Sequence, residues 1–296
     1  MTGSLESTLI PVLGLVATGF VAGRSLQVDL AQLSRFTLYV LTTALIFDSM
    51  YRAELPAASA IGLIAGFAAI SAVLAALSWA LARAQGLSPR HRASFVAAGI
   101  FPNSGNMGLS VVLFALGQAA MSRAVVYLVA SSILMFGFGP ALFRGGQPLR
   151  GLAQTLRLPF LWAAGAGFLL RWLGLGLPFG LGRAVHMTGQ AAIPVVLVIL
   201  GMQISRSRLR LGRFVLLASV VRLAGGPLLA LTAAKLLHLG QLDTRVLVLQ
   251  SAMPTAVNSL LLSIEFGGDA ERTAEAVVAS SVLAFVSLPV VLALLH

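Results

Sequence analysis

The sequence of 296 residues contains no cysteine, only four histidines and only nine acidic residues. A chain without cysteine cannot form a disulfide, a thiolate metal site or a cysteine nucleophile. The histidines fall at predicted helix boundaries or at the chain end, without a partner at the spacing of a metal-ligand pair. The sequence therefore predicts no metal and no other cofactor, and it provides no nucleophile and base for an enzyme.

Charge is also scarce, because charged residues make up 10% of the chain, whereas soluble domains contain about 25%. Hydrophobic residues make up 58%, and the mean hydropathy is +0.95. These values predict an integral membrane protein. The net charge of +11 comes mostly from arginines between apolar segments. It therefore indicates positive cytoplasmic loops, and we expect no nucleic-acid partner.

A helix that crosses a bilayer needs about 20 mostly apolar residues. On that scale the sequence contains ten predicted spans, at residues 5–23, 31–50, 57–83, 93–116, 120–143, 158–177, 186–205, 213–237, 244–264 and 272–295. One alternate set of connections carries thirteen lysines and arginines and the other carries six. The positive-inside rule then places both termini outside, and we expect a multi-pass protein of a bacterial inner membrane.

Two of these spans, the fourth and the ninth, are interrupted by proline and asparagine. Pro102 and Asn103 stand in the fourth span, Pro254 and Asn258 stand in the ninth, and the two prolines are 152 residues apart. Proline removes a helical hydrogen bond, and irregular backbone inside a membrane needs surrounding protein or a wet cavity. A packing kink would explain one such break. Two breaks at corresponding positions indicate the binding site of a transporter.

Three residues of the first predicted span recur 148 residues later in the chain. The three matching pairs are Pro11 with Pro159, Gly19 with Gly167, and Phe20 with Phe168. The chain therefore divides into two halves, 1–148 and 149–296, with five predicted spans each. Because five is odd, the second half enters the membrane from the opposite side, and the repeat is predicted to be inverted.

The interrupted spans carry neutral polar groups that suit an anion. An unwound helix leaves a half-helix N-terminus with free N–H groups, and Asn103 and Asn258 add amide donors. Freed carbonyls could instead hold a cation. The predicted cavity is completed by the residues around the two asparagines, which are Pro102, Pro254, Ser104, Gln250, Thr255 and Ser259.

Charged residues within the spans are few. Asp48 ends the second span and Glu265 ends the ninth, so each is either an interfacial residue or a group for ion coupling. Arg222 lies inside the eighth span, where a charge is costly. It either extends to the interface or adds positive potential near an anion path.

At these residues the chain resembles the auxin efflux carrier family of membrane transporters. The resemblance rests on Ala252–Asn258 (Ala-Met-Pro-Thr-Ala-Val-Asn), on Phe101–Gly108 and on Ile193–Gly201. Thr43 and Ser110 depart from the family pattern, which often has proline at both positions.

The resemblance implies an all-α membrane protein with ten transmembrane helices in two inverted five-helix repeats, like the bile-acid symporters and Na⁺/H⁺ antiporters. Spans one, two, six and seven would form a scaffold, and spans three to five and eight to ten a transport domain. The broken spans four and nine would cross at Pro102 and Pro254, with Asn103 and Asn258 as substrate contacts. Family members carry organic anions such as auxin, malate or malonate.

The sequence thus favours a secondary transporter that moves a small organic carboxylate by alternating access. The sequence leaves open whether the substrate crosses alone, as in a uniporter, or together with H⁺ or Na⁺. In a coupled transporter, Asp48 or Glu265 would be the coupling group. The bilayer is the other partner, and a homodimer is one possible assembly. The alternatives are a sodium-coupled symporter of the bile-acid type, an anion sensor and an intramembrane enzyme.

Overall fold

The computed structural model describes residues 5–144, 156–207 and 209–295, and these residues are almost entirely helical. Within them the one extended pairing is an isolated bridge between Pro102 and Thr255. The twelve helices are α1 Leu5–Ser25, α2 Leu30–Tyr51, α3 Ala57–Ala84, α4 Pro89–Ile100, α5 Ser104–Leu116, α6 Gln118–Phe143, α7 Pro159–Trp172, α8 Leu181–Ser205, α9 Arg213–Leu236, α10 Gln241–Ser251, α11 Asn258–Glu265 and α12 Ala270–Leu294.

Seven of these helices are long and apolar enough to cross a membrane, namely α1, α2, α3, α6, α8, α9 and α12. The predicted class, an all-helical membrane protein, is therefore confirmed. The fourth predicted span consists of α4 and α5, the ninth of α10 and α11, and the sixth is represented by α7. The predicted boundary between the two halves, at residues 148 and 149, lies outside the described residues.

Close backbone contacts between helices are made at glycines. A Cβ atom added at Gly19 of α1 would lie 2.0 Å from the Val198 carbonyl oxygen of α8, and one at Gly201 would lie 2.0 Å from the Val16 carbonyl oxygen. In lipid, where apolar surface gains nothing from burial between helices, such small residues allow close van der Waals packing. These glycines therefore fix how α1 docks on α8.

The same contact recurs in the second part of the chain. Gly167, which stands 148 residues after Gly19, packs α7 against α2, and its added Cβ would lie 2.6 Å from the Phe47 carbonyl oxygen. The first helix of each predicted half thus docks through an equivalent glycine on the second or seventh predicted span.

Polar contacts join the connections between the ten predicted spans, numbered here in chain order, in two separate groups. Arginine and histidine side chains link the first, third, seventh and ninth connections to one another. These contacts are Arg206 with Gly23 and Val28, Arg90 with Gly268, His91 with Asp269, and Arg210 with Glu271.

The second group joins the even-numbered connections. Tyr51 donates a hydrogen bond of 3.1 Å to the Leu175 carbonyl, between the second and sixth connections. Arg123 forms an ion pair of 2.5 Å with Asp243, between the turns next to the fourth and eighth. Among the described residues, these side-chain contacts thus join odd connections with odd ones and even connections with even ones.

Gly201→Ala tests the docking of α1 on α8. The added methyl group would collide with backbone, so we expect the variant to lose about 1–3 kcal/mol of stability and to unfold at a lower temperature in detergent. The control is Gly14→Ala on the same pair of helices. It meets nothing within 4 Å, so its unfolding temperature should be unchanged or higher. Equal unfolding temperatures for the two variants would contradict this packing.

Candidate functional site

The two broken spans meet at their interruptions. Asn103 donates its backbone N–H to the Pro254 carbonyl at 2.7 Å, and Ala256 donates its own to the Phe101 carbonyl at 2.9 Å. The two extended segments run antiparallel and form a miniature sheet between α4–α5 and α10–α11. Backbone groups that leave a helix inside a protein need partners of this kind, and here each break supplies them to the other.

Thr255 repairs the hydrogen bond that Pro102 removes. In a helix the Ala98 carbonyl would accept from the N–H of residue 102, which proline lacks. The Thr255 hydroxyl donates to this carbonyl at 2.8 Å. The Thr255 N–H in turn donates to the Ser280 hydroxyl of α12 at 3.0 Å. Thr255 is fully buried, so it holds the crossing together from within.

Arg222 binds the ends of both half-helices. Its guanidinium donates to the carbonyls of Gly99 and Ile100 at the end of α4, at 3.2 and 3.1 Å. A third hydrogen bond of 2.5 Å reaches the Ser251 carbonyl at the end of α10. Its exposed fraction is 1%, so the side chain does not extend to the membrane interface. The structure therefore excludes the interpretation in which Arg222 extends to the interface.

All four terminal carbonyls of α4 are therefore paired with groups from the second part of the chain. A helix leaves its last four carbonyls without intrahelical donors. Here they belong to residues 98–101, and they accept from Thr255, from Arg222 twice, and from the Ala256 N–H. The broken helix is thus complete only when the second broken helix is docked against it.

A small cavity of about 60 Å³ lies beside the crossing. Four of the predicted site residues line it, namely Pro102, Asn103, Ser104 and Asn258. The other lining residues are Leu38, Thr42, Gly105, Asn106, Leu128, Ser131, Ser132, Met135, Phe136, Phe160, Ala256 and Val257. None of these side chains carries a charge, so the cavity presents amides, hydroxyls and apolar groups.

Asn103 places a fully buried amide nitrogen without a hydrogen-bond partner in the cavity wall. Its exposed fraction is 4%, and its Nδ2 atom makes no hydrogen bond. The neighbouring Ser104 hydroxyl is paired with that of Ser131 at 2.7 Å. A buried amide donor without a partner costs free energy, so this position favours a bound group that accepts a hydrogen bond.

Three π-helical stretches contribute to the cavity wall. They are Thr37–Thr42, Ser104–Gly108 and Ile133–Phe138, and each supplies at least two lining residues. A π-turn widens the helix and re-aims its side chains, and such turns are frequent at functional sites. The sequence analysis did not include Ser131 and Ser132 of α6 in the site, and the signal that could have found them is a pair of polar residues in the middle of a predicted span.

The remaining predicted residues do not line the cavity. Gln250 is fully buried against Gly108, where an added Cβ would lie 2.1 Å from its Oε1 atom. Ser259 is fully buried and its hydroxyl makes no hydrogen bond, while Pro254 and Thr255 belong to the crossing itself. These four residues support the cavity from behind.

Asp48 and Glu265 lie away from the crossing. The buried Asp48 carboxylate accepts from Arg52 at 2.8 Å and pairs with His186 of α8 at 2.8 Å. Glu265 is exposed at the end of α11. In the described parts of the chain, no group of three or more histidine or acidic side chains could hold a metal ion.

Thr255→Val tests the repair of the Pro102 break. Valine keeps the shape of threonine but leaves the Ala98 carbonyl without a donor, so we expect a loss of about 1–3 kcal/mol, seen as a lower unfolding temperature. The control is Thr232→Val, because the exposed Thr232 hydroxyl bonds only to the preceding turn of its own helix. If both variants unfold at the wild-type temperature, Thr255 does not hold the crossing.

The sequence profile of the family described as membrane transport protein matches residues 5–143 and 152–292. An uncharacterized transporter of Methanothermobacter thermautotrophicus is 30% identical, with 97% of each chain covered. A protein of Rhizobium meliloti named "Putative malonate transporter" is 24% identical over 94% of this chain and 92% of its own. The chain therefore belongs to the membrane transport protein family, the auxin efflux carrier family that its Ala252–Asn258 motif resembles.

Proposed function

We propose that this protein is a secondary transporter of a small organic anion and that the substrate carboxylate binds at the crossing. The observation that carries the proposal is the buried, unpartnered amide of Asn103 in a polar cavity that both breaks help to form. Membership of a transporter family supports it, and so does the printed name of the Rhizobium meliloti relative.

The chemistry of the cavity favours a carboxylate. Helix α5 begins at Ser104 and α11 begins at Asn258, so the N-terminal ends of two half-helices lie at the cavity. N-terminal N–H groups carry partial positive charge and bind anions. In this proposal Asn103 and Asn258 donate hydrogen bonds to the carboxylate, and the neighbouring hydroxyls complete its shell.

We further propose the ten-span topology of two inverted repeats, residues 1–148 and 149–296. The separate grouping of odd and even connections supports it, because a chain that crosses the membrane at every span brings alternate connections to the same side. The equivalent packing of Gly19 on α8 and Gly167 on α2 supports the repeat, since both glycines occupy the same position in their halves.

The position of the cavity suits alternating access. One wall comes from Leu38, Thr42 and Phe160, on α2 and α7, which belong to the proposed scaffold. The other walls come from the broken spans and α6, which belong to the proposed transport domain. A cavity of about 60 Å³ holds roughly two water molecules. Movement between the two domains would therefore enlarge it for substrate, as in transporters whose repeats rock around a central site.

The first test is uptake of radiolabelled malonate, malate or indole-3-acetate into proteoliposomes. We expect Asn103→Ala and Asn258→Ala each to reduce initial uptake at least tenfold, because the carboxylate loses a donor that the low-dielectric cavity does not replace. Parallel assays with and without gradients of Na⁺ and H⁺ show whether an ion is coupled. If an ion is coupled to transport, Asp48 and Glu265 are the residues to substitute next.

The matched control is Gln85→Ala, which removes an amide that bonds only to Leu81 of its own helix. This variant should transport at the wild-type rate. Unfolding temperatures show whether the asparagine variants fold. Wild-type uptake by both folded asparagine variants would exclude the proposed site, and failure of the wild type to take up every anion of the panel would exclude the proposed substrate class.

The topology can be tested by cysteine labelling, because the chain has no cysteine of its own. Gly176 and Gly212 are exposed, and an added Cβ at either meets nothing within 4 Å. In intact cells, a membrane-impermeant maleimide should label Gly176→Cys on the outer side and leave Gly212→Cys unlabelled until the membrane is opened. The reverse pattern would invert the proposed orientation, and labelling of both in intact cells would exclude the ten-span topology.

A further inference from the structure

The buried guanidinium of Arg222 pairs main-chain carbonyls, and its positive charge also bears on which substrates the site selects. We propose that Arg222 sets the charge preference of the substrate site. Its positive charge neutralises the negative ends of α4 and α10, so that the positive ends of α5 and α11 act on the cavity without compensation. This inference rests on the proposed function and names the residue that makes the site selective for anions.

The two breaks alone would create a site with almost no net charge. Each break leaves one helix C-terminus and one helix N-terminus, and these carry about −0.5 and +0.5 of an elementary charge. The C-termini are those of α4 and α10, and the N-termini are those of α5 and α11. The four partial charges sum to about zero. One guanidinium then gives the crossing a net charge of about +1.

The contacts of Arg222 place this charge on the C-terminal side of the crossing. All three of its hydrogen bonds go to main-chain carbonyls, two at the end of α4 and one at the end of α10. It lies in the π-helical stretch Val221–Gly225, and an added Cβ at Gly226 would lie 2.4 Å from its Nη2 atom. Tight packing therefore fixes the guanidinium.

The charge of Arg222 is not balanced by a nearby carboxylate. No salt bridge joins Arg222 to an acidic residue within the described ranges, and the polar side chain beside it is the neutral Tyr127, which bonds to the Ser251 hydroxyl at 3.1 Å. Arginine does not lose its proton in proteins. The positive charge is therefore retained at the crossing, where surrounding protein screens it weakly.

The separation from the substrate site is short enough for this charge to matter. Arg222 contacts the Ile100 carbonyl at 3.1 Å, and Asn103 follows three residues later. Three residues span at most about 11 Å, so the guanidinium lies within roughly 14 Å of the Asn103 backbone. With an effective dielectric constant of about 20, a unit charge at this distance changes the affinity for a monoanion by roughly sevenfold. A second negative charge squares the effect, to about fiftyfold.

The experiment compares, within each of two ligand series, molecules of similar shape and different charge. The probes are malonate, its monomethyl ester and its dimethyl ester, with charges of −2, −1 and 0 near neutral pH, and indole-3-acetate with its neutral amide. Binding to the purified full-length protein is measured by calorimetry. In Arg222→Gln we expect affinity to fall about fiftyfold for malonate and about sevenfold for each monoanion. The neutral probes should bind as they do to the wild type.

Arg222→Lys is the second variant, because lysine can carry the charge but, unlike arginine, can also lose its proton when it is buried. The protonation of the introduced lysine is read from its side-chain nitrogen by NMR. A protonated lysine should keep the wild-type ratio of anion to neutral affinity even if stability falls, and a neutral lysine should lower the ratio as Arg222→Gln does. If Arg222→Gln does not fold, this ratio in folded Arg222→Lys remains the test, and a collapsed ratio with a protonated lysine, or a wild-type ratio with a neutral one, would overturn the proposal.

The outcomes separate this inference from the proposed function. Equal losses for charged and neutral probes in Arg222→Gln would mean that Arg222 only shapes the site, and an unchanged malonate affinity would mean that its charge does not act there. Either result overturns this inference alone. A wild type that binds none of the anions overturns the proposed function, and this inference with it.

Discussion

Pairing of the main-chain polar groups at the two breaks is the constraint on which the rest of this structure depends. A carbonyl or N–H that leaves a helix inside a membrane has no water to bind, and each unpaired group is costly. The four terminal carbonyls of α4 find donors only in the second part of the chain, from Thr255, Ala256 and Arg222. Neither broken helix has hydrogen-bond partners for all of its main-chain polar groups by itself. The two helices therefore complete their hydrogen bonds only when they dock together.

In the proposed transport cycle, this mutual pairing would keep the two broken helices together as one body. Backbone bonds, a threonine hydroxyl and an arginine join the two broken helices across more than 100 residues of sequence. The cavity, by contrast, meets α2 and α7 through Leu38, Thr42 and Phe160, largely by apolar contact. Apolar surfaces slide past each other more readily than paired carbonyls separate. The boundary next to the cavity is thus the natural place for movement in the proposed transport cycle.

The cavity beside the crossing is polar, although no charged side chain lines it. Its lining offers amides, hydroxyls and helix N-termini, and the buried Arg222 contacts the carbonyl ends of α4 and α10 outside this lining. Fixed dipoles need little reorganisation when a ligand binds. A side chain with a full charge in the cavity would have to be desolvated and paired again in every cycle, at a larger cost.

The membrane class, the positions of the breaks and the neutral polar character of the candidate site can all be predicted from the sequence alone. These features are local, because hydropathy follows from composition and a proline breaks the helix in which it stands. Which side chains reach the cavity depends on how the helices dock against one another, and this appears first in the structure. The tertiary structure brought in Thr42, Ser131 and Phe160, placed Thr255 and Gln250 behind the crossing, and gave Arg222 its carbonyl partners. The physical reason is that these contacts join residues far apart in sequence, and the docking of whole helices through faces such as Gly19 and Gly201 sets them.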